Sequence, residues 1–93
     1  MVDLIAYTDT IPKAGETLVA NEFAMGCGGK GANQAVAASQ LGAEVLMMGR
    51  VGDDAFADNT LGNFSKYGVS TEFINKVPGV SSGVAPICVD ADS

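Results

Sequence analysis

The sequence has 93 residues, 47% of them hydrophobic and 17% charged, and its 11 acidic and 5 basic side chains give a net charge of -6. Such a composition belongs to a folded domain and not to a disordered chain, with one modest core, since a domain of this size buries roughly 60–70% of the surface its unfolded chain exposes. The acidic balance argues against nucleic acid and anionic membranes, which select a basic face, and the absence of histidine removes the commonest general base together with every Ser-His or Cys-His arrangement.

Met1-Val2-Asp3 opens the chain without a basic region or an apolar stretch of the kind that starts a secretory signal. No apolar run reaches the roughly 20 residues of a membrane span. Cys27 and Cys88 lie far apart, which is poor spacing for zinc and reads as two reduced thiols. A cytoplasmic protein with no membrane partner is expected.

Residues 2–8 read as a strand from their β-branched and aromatic content, and Pro12 and Gly15 mark a loop after it. From Glu16 to Met25 polar and apolar residues roughly alternate, as in an edge strand with a bulge. The run Gly26-Cys27-Gly28-Gly29-Lys30-Gly31 follows, and then an uncharged, alanine-rich stretch from Ala32 to Leu41 that predicts a helix ended by Gly42. A helix of such small residues is expected to pack closely against a sheet.

Glu44 to Val51 is nearly continuous apolar sequence, which predicts a parallel strand covered on both faces. Gly52-Asp53-Asp54 then turns into a second helix, with an aspartate as its cap. Ala57, Leu61 and Phe64 form its apolar stripe, and Gly68 ends it. Thr71–Val77 and Gly83–Val89 read as two further strands around the loop at Pro78–Ser82. Strands alternating with helices define an α/β fold, and the polar, alternating segments 16–25 and 83–89 point to a second, smaller layer.

The turn at residues 26–33 carries the most chemistry. Glycines let a backbone turn tightly and approach a ligand, and the following helix aims free N–H groups and a positive dipole end at it. Lys30 adds a mobile charge and Asn33 both a donor and an acceptor, a set suited to hydroxyls or an anion. Gly26, Gly28 and Gly31 also match G-x-G-x-x-G, a weak signal without a buried strand before it, so a nucleotide-binding module stays open as an alternative. The phosphate-loop pattern fails, because Lys30 is followed by Gly31 and no hydroxyl is placed for magnesium.

The segment Gly28-Gly29-Lys30-Gly31-Ala32-Asn33-Gln34-Ala35, with Leu41-Gly42-Ala43, Val51-Gly52-Asp53-Asp54, Pro12-Lys13-Ala14-Gly15-Glu16-Thr17 and Ser82-Gly83-Val84-Ala85, resembles the N-terminal portion of the ribokinase-like (phosphofructokinase-B type) carbohydrate kinases across the whole chain. The resemblance implies a parallel sheet with flanking helices plus a small β-sheet lid, here only the N-terminal part of that domain over residues 1–93, with lid strands near 16–25 and 83–89. It implies that Asp3, Gly29, Lys30 and Asn33 bind a sugar, ribose above others, with Ile87 facing it. For the full-length family it implies Mg-ATP and a monovalent cation, neither held by residues of this chain. Exposed sheet edges allow self-association, as a homodimer through the lid strands. Without the resemblance, Asp3 and Lys30 read as solvated charges, Asn33 as a local helix-start hydrogen bonder, and the glycines as packing devices.

Two departures from the family pattern stand out. The family opens on a buried strand ending in Gly-Ser-x-x-x-Asp, of which only Asp3 remains, and Met1 stands where a sugar-contacting Asn is common. The first strand is therefore expected to be short, with Asp3 at its end. The Asp-Thr-x-Gly-Ala-Gly-Asp segment that supplies the family's catalytic base and anion hole has no counterpart here, and the chain stops directly after a strand as if cut. No catalytic or metal-binding residue is expected, so the isolated chain is expected to be inactive; the alternative is a non-catalytic fragment that binds a sugar or assembles.

Overall fold

A computed structural model describes residues 1–92 of the chain, and Ser93 lies outside the described residues. Seven elements follow one another in the expected order: β1 (Val2–Tyr7), β2 (Glu22–Cys27), α1 (Lys30–Gln40), β3 (Leu46–Gly52), α2 (Ala55–Lys66), β4 (Ser70–Val77) and β5 (Val84–Val89). They make a mixed α/β fold with two sheets. In one, β1 lies between β2, to which it is antiparallel, and β5, to which it is parallel. In the other, β3 and β4 run parallel, as strands joined through a helix must.

Both helices pack on the second sheet, and α2 also touches β1 and β2 of the first. Ala35 of α1, Phe64 of α2 and Val69 are buried together, with Ala32, Val36, Val45, Met47 and Ile74 packed around them. The alanines of α1 let its axis come close to β3. Gly42 (φ 98°) and Gly68 (φ 76°) terminate α1 and α2 in the left-handed region that a glycine enters without penalty. The stripe expected on α2 shifts by one position, for Thr60 is buried beside Ala57 and Phe64 while Leu61 is half-buried.

Three expectations are corrected. The strand expected near 16–25 forms at Glu22–Cys27, because β1 pairs without interruption from Val2 opposite Cys27 to Tyr7 opposite Glu22. Residues 16–20 face no partner strand, and β2 carries no bulge. The register irregularity lies instead in β3, between Leu46 and Met48. Nor is β3 covered on both faces: the helices cover one, and Leu46 and Met48 remain 57% and 76% exposed on it. Finally, Asp3 does not end a strand, being the second residue of β1 in the middle of the three-stranded sheet. No helix of the described residues is long and apolar enough to cross a membrane.

Candidate functional site

The two sheets meet where β2 turns into α1. Cys27 is the last residue of β2, and the Gly28 N–H donates to the Met1 carbonyl at 2.9 Å, which keeps the turn against the start of β1. Gly28 is buried, and a side-chain carbon on it would lie 2.7 Å from Asp3 Oδ2 and 3.0 Å from Oδ1. The Asp3 carboxylate thus rests on the bare α-carbon of Gly28, a place only glycine leaves open. Gly29 has φ 104° and ψ 136°, again glycine territory, and serves as the N-cap of α1.

Because that cap has no side chain, no side-chain hydrogen bond closes the first turn of α1, and the turn carries no acidic residue. The first intrahelical bond is Asn33 N–H to the Gly29 carbonyl at 2.9 Å. The N–H groups before it point out of the helix start, where the positive end of the dipole lies. Lys30 and Asn33 are exposed on this first turn.

Strand register decides what shares the face with Asp3. Asp3 is opposite Gly26 of β2 and Ala85 of β5, and Ile5 is opposite Ala24 and Ile87. Side chains alternate along a strand, so Asp3, Ile5, Ala85 and Ile87 occupy one face, and Leu4, Met25, Phe23 and Cys88 the other. The site residues expected from sequence are therefore not all gathered in one cavity. Gly28 and Gly29 line a cavity of about 190 Å³ with Met1, Met47, Arg50 and Thr60. Asn33 lines a separate groove with Cys27, Asn63 and Tyr67.

Sequence reading missed a second cluster, which adjoins the glycine turn across Met1, Arg50 and Thr60. Asp54 caps α2, its Oδ1 accepting the Ala57 N–H at 3.0 Å, as expected for an aspartate there. It also accepts the Ser82 N–H and hydroxyl, each at 2.8 Å. These bonds, with the Ser82 N–H first, hold the Asp54 carboxyl below its ordinary value of 3.8. The capping signal was legible at Asp53-Asp54, but nothing local connects it to a serine 28 residues on.

A glycine turn opening a helix beside a small separate sheet defines an α/β protein with an open helix start, and comparison with known proteins identifies the family. The model of the pfkB family carbohydrate kinases matches residues 1–93, and the chain belongs to that family. A deoxyribokinase of Salmonella typhi is 61% identical over all 93 residues, which make up 30% of its length. A ribokinase of Bacillus subtilis is 48% identical over 86 residues, covering 92% of this chain and 29% of the relative. Among solved structures, an Arabidopsis thaliana ribokinase complexed with ribose and ATP superimposes with a TM-score of 0.89 at 29% identity, over 99% of this chain and 30% of its own. The chain thus spans about 30% of the length of the relatives it matches.

Proposed function

We propose that this chain is the sugar-binding portion of an ATP-dependent pentose kinase, whose full reaction moves the γ-phosphoryl group of ATP to the terminal hydroxyl of the sugar. The observation that carries this reading is the Asp3 carboxylate lying against Gly28 at the mouth of the uncapped α1. A carboxylate accepts hydrogen bonds from two neighbouring hydroxyls, and the amide of Asn33 can give and take one. In this reading Gly29 lets the sugar approach the backbone, Lys30 supplies a mobile donor, and Ala85 and Ile87 close over the ring to keep water from competing as phosphoryl acceptor.

Mg-ATP and a monovalent cation belong, in this reading, to residues that the relatives carry outside the matched 30%. An Arabidopsis thaliana relative was solved with ATP and a Cryptococcus neoformans one with ADP, which supports nucleotide use by the complete enzyme. Phosphoryl transfer rests on positioning and on charge stabilisation by metal ions and backbone donors, so the isolated 93 residues are proposed to bind a sugar without turning it over.

Sequence alone points to ribose, and the 61% identity to a deoxyribokinase moves the proposal to 2-deoxyribose with ribose as the weaker ligand. Met1 agrees with that order. Its β-carbon lies beside the turn, 3.8 Å from where a carbon on Gly29 would stand. A methionine side chain offers a sugar hydroxyl no good partner, and an unpaired hydroxyl costs more than a missing one.

Calorimetric titration of the chain with 2-deoxyribose, ribose and fructose tests the assignment, beside an assay of ADP formation from Mg-ATP. Binding in the order 2-deoxyribose, ribose, fructose is expected, with no ADP formed. Asp3→Ala should weaken pentose binding by about tenfold or more, the value of one or two charge-assisted hydrogen bonds. Pentose affinity unchanged in Asp3→Ala would sink the assignment.

The far face of the three-stranded sheet favours self-association as a second reading. Phe23 and Met25 are 60% and 48% exposed there, beside Leu4. We read it as the surface through which two copies pair, with Phe23→Glu expected to convert a dimer to a monomer in sedimentation.

A further inference from the structure

Asp54 makes more bonds than a helix cap requires. Its backbone is extended (φ -149°, ψ 178°), and the Ala57 N–H alone satisfies the capping role. The remaining capacity of the carboxylate goes to Ser82: Oδ2 takes the Ser82 N–H and Oδ1 the Ser82 hydroxyl, both at 2.8 Å. The Ser82 oxygen in turn accepts the Gly52 N–H at 3.0 Å, and the Asp53 N–H reaches the Val80 carbonyl at 3.1 Å. Gly52 is buried, and a side-chain carbon there would collide with Ser82 N and the Val80 carbonyl oxygen. The connection between β4 and β5 is thus laid directly on the end of β3 and the start of α2.

Ser82 also stands at the door of the other sheet. The carbonyl of the next residue, Gly83, accepts the Val2 N–H at 3.0 Å, and β5 then pairs with β1 from Val84 opposite Val2 onward. One residue beyond Val2 is Asp3. A continuous path of hydrogen bonds therefore runs from the N-terminus of α2, through Asp54, Ser82 and Gly83, to the strand that carries Asp3. The layers touch elsewhere as well, at the Gly28–Gly29 turn and where the Cys27 thiol donates to the Asn59 carbonyl of α2 at 3.5 Å, but neither of those contacts holds β5.

We propose that Asp54 and Ser82 are positioning residues for the sugar subsite: their clasp sets where the β2-β1-β5 sheet, with Asp3 on it, stands over the N-terminus of α1. The inference rests on the sugar-binding reading above. Recognition of neighbouring hydroxyls needs the carboxylate and the helix start in place together, and an error of about 1 Å between them is enough to weaken binding. Neither Asp54 nor Ser82 contacts the sugar in this arrangement; both act through the placement of Asp3.

The test uses the 93-residue chain with Ser82→Ala, Ser82→Thr and Asp54→Ser. Ser82→Ala leaves the α2 cap intact while removing the hydroxyl from Asp54 and Gly52. Asp54→Ser keeps a capping oxygen for Ala57 but cannot span to Ser82. Two quantities are measured: calorimetric affinity for 2-deoxyribose, and the orientation of β1, β2 and β5 relative to α1 and α2 from amide residual dipolar couplings. Ser82→Ala and Asp54→Ser are expected to weaken binding by about tenfold and to reorient the three strands, and Ser82→Thr to restore both. Wild-type affinity in the two disruptive variants, or weakened binding with an unaltered orientation, overturns the proposal. If the wild-type chain binds neither 2-deoxyribose nor ribose, the sugar reading falls, and an unaltered orientation in Ser82→Ala then overturns the clasp.

Discussion

The two helices begin in opposite ways. The start of α2 is filled by its own chain: Asp54 caps it, Asp58 sits in its first turn, and Lys76 pairs with Asp58 at 2.8 Å. The start of α1 is left bare, with Gly29 as a cap that offers no side chain, no acid in the first turn, and Lys30 as its first residue. A lysine at the positive end of a helix dipole opposes it, so α1 carries a residue that local stability would not choose. The same backbone feature is thus spent on holding the fold together in α2 and left open in α1, at the place proposed for the sugar. Where local preference is violated without a structural gain, function is the explanation to test.

That contrast can be broken from the α2 side most forcefully. Gly52→Ala drives a methyl group into Ser82 and Val80, and so should push Ser82 off Asp54 and reopen the helix start. Overpacking of this kind costs about 2–3 kcal/mol, or roughly 10–20 °C in Tm for a domain this small, and thermal melting followed by circular dichroism reads it.

Asp54→Asn sharpens the contrast through pH. The folded state holds the Asp54 carboxyl below its ordinary value of 3.8, so folding favours the ionised form. Its contribution to stability is complete above that value and is lost as pH falls through the lower, folded one. The gap in Tm between wild type and Asp54→Asn should be constant from about pH 7 to about pH 5 and should close at acid pH. A gap that persists at about pH 2 would show that the ionised carboxylate is not what holds the clasp.

Lys30→Glu gives α1 the first-turn acid that α2 already has. The helix should gain about 0.5 kcal/mol, visible as a small rise in Tm, while pentose binding falls. A rise in Tm with unchanged affinity would mean that the open end of α1 is not a ligand site.

How much of this was legible in the sequence depended on whether the deciding partner was local. Gly42 and Gly68 were readable as helix ends because the requirement for positive φ is met within one residue. Asp54 was readable as a cap because its partner, Ala57, is three residues on. The boundaries of β2 were not, since Thr17, Leu18 and Val19 have good strand propensity and only the register of β1 excludes them. The exposed face of β3 was misread for a related reason: an apolar run announces burial, but the layer that would cover Leu46 and Met48 is not encoded near them. At the site, Gly29, Lys30 and Asn33 came from spacing and resemblance, whereas the contact of Asp3 with Gly28 required two strands to be brought into register first.

The pairing of β1 with β5 also has a consequence in time. Val2 and Val84 are partners from opposite ends of the chain, and closing so long a loop is slow because its entropy is lost before any contact compensates. The unit of β3, α2 and β4 closes through near neighbours and can assemble first. As the chain leaves a ribosome, the helices and their two-stranded sheet can form while β1 still waits for its partner. Among the described residues, the three-stranded sheet, and with it the setting of Asp3, is then the last part to be completed.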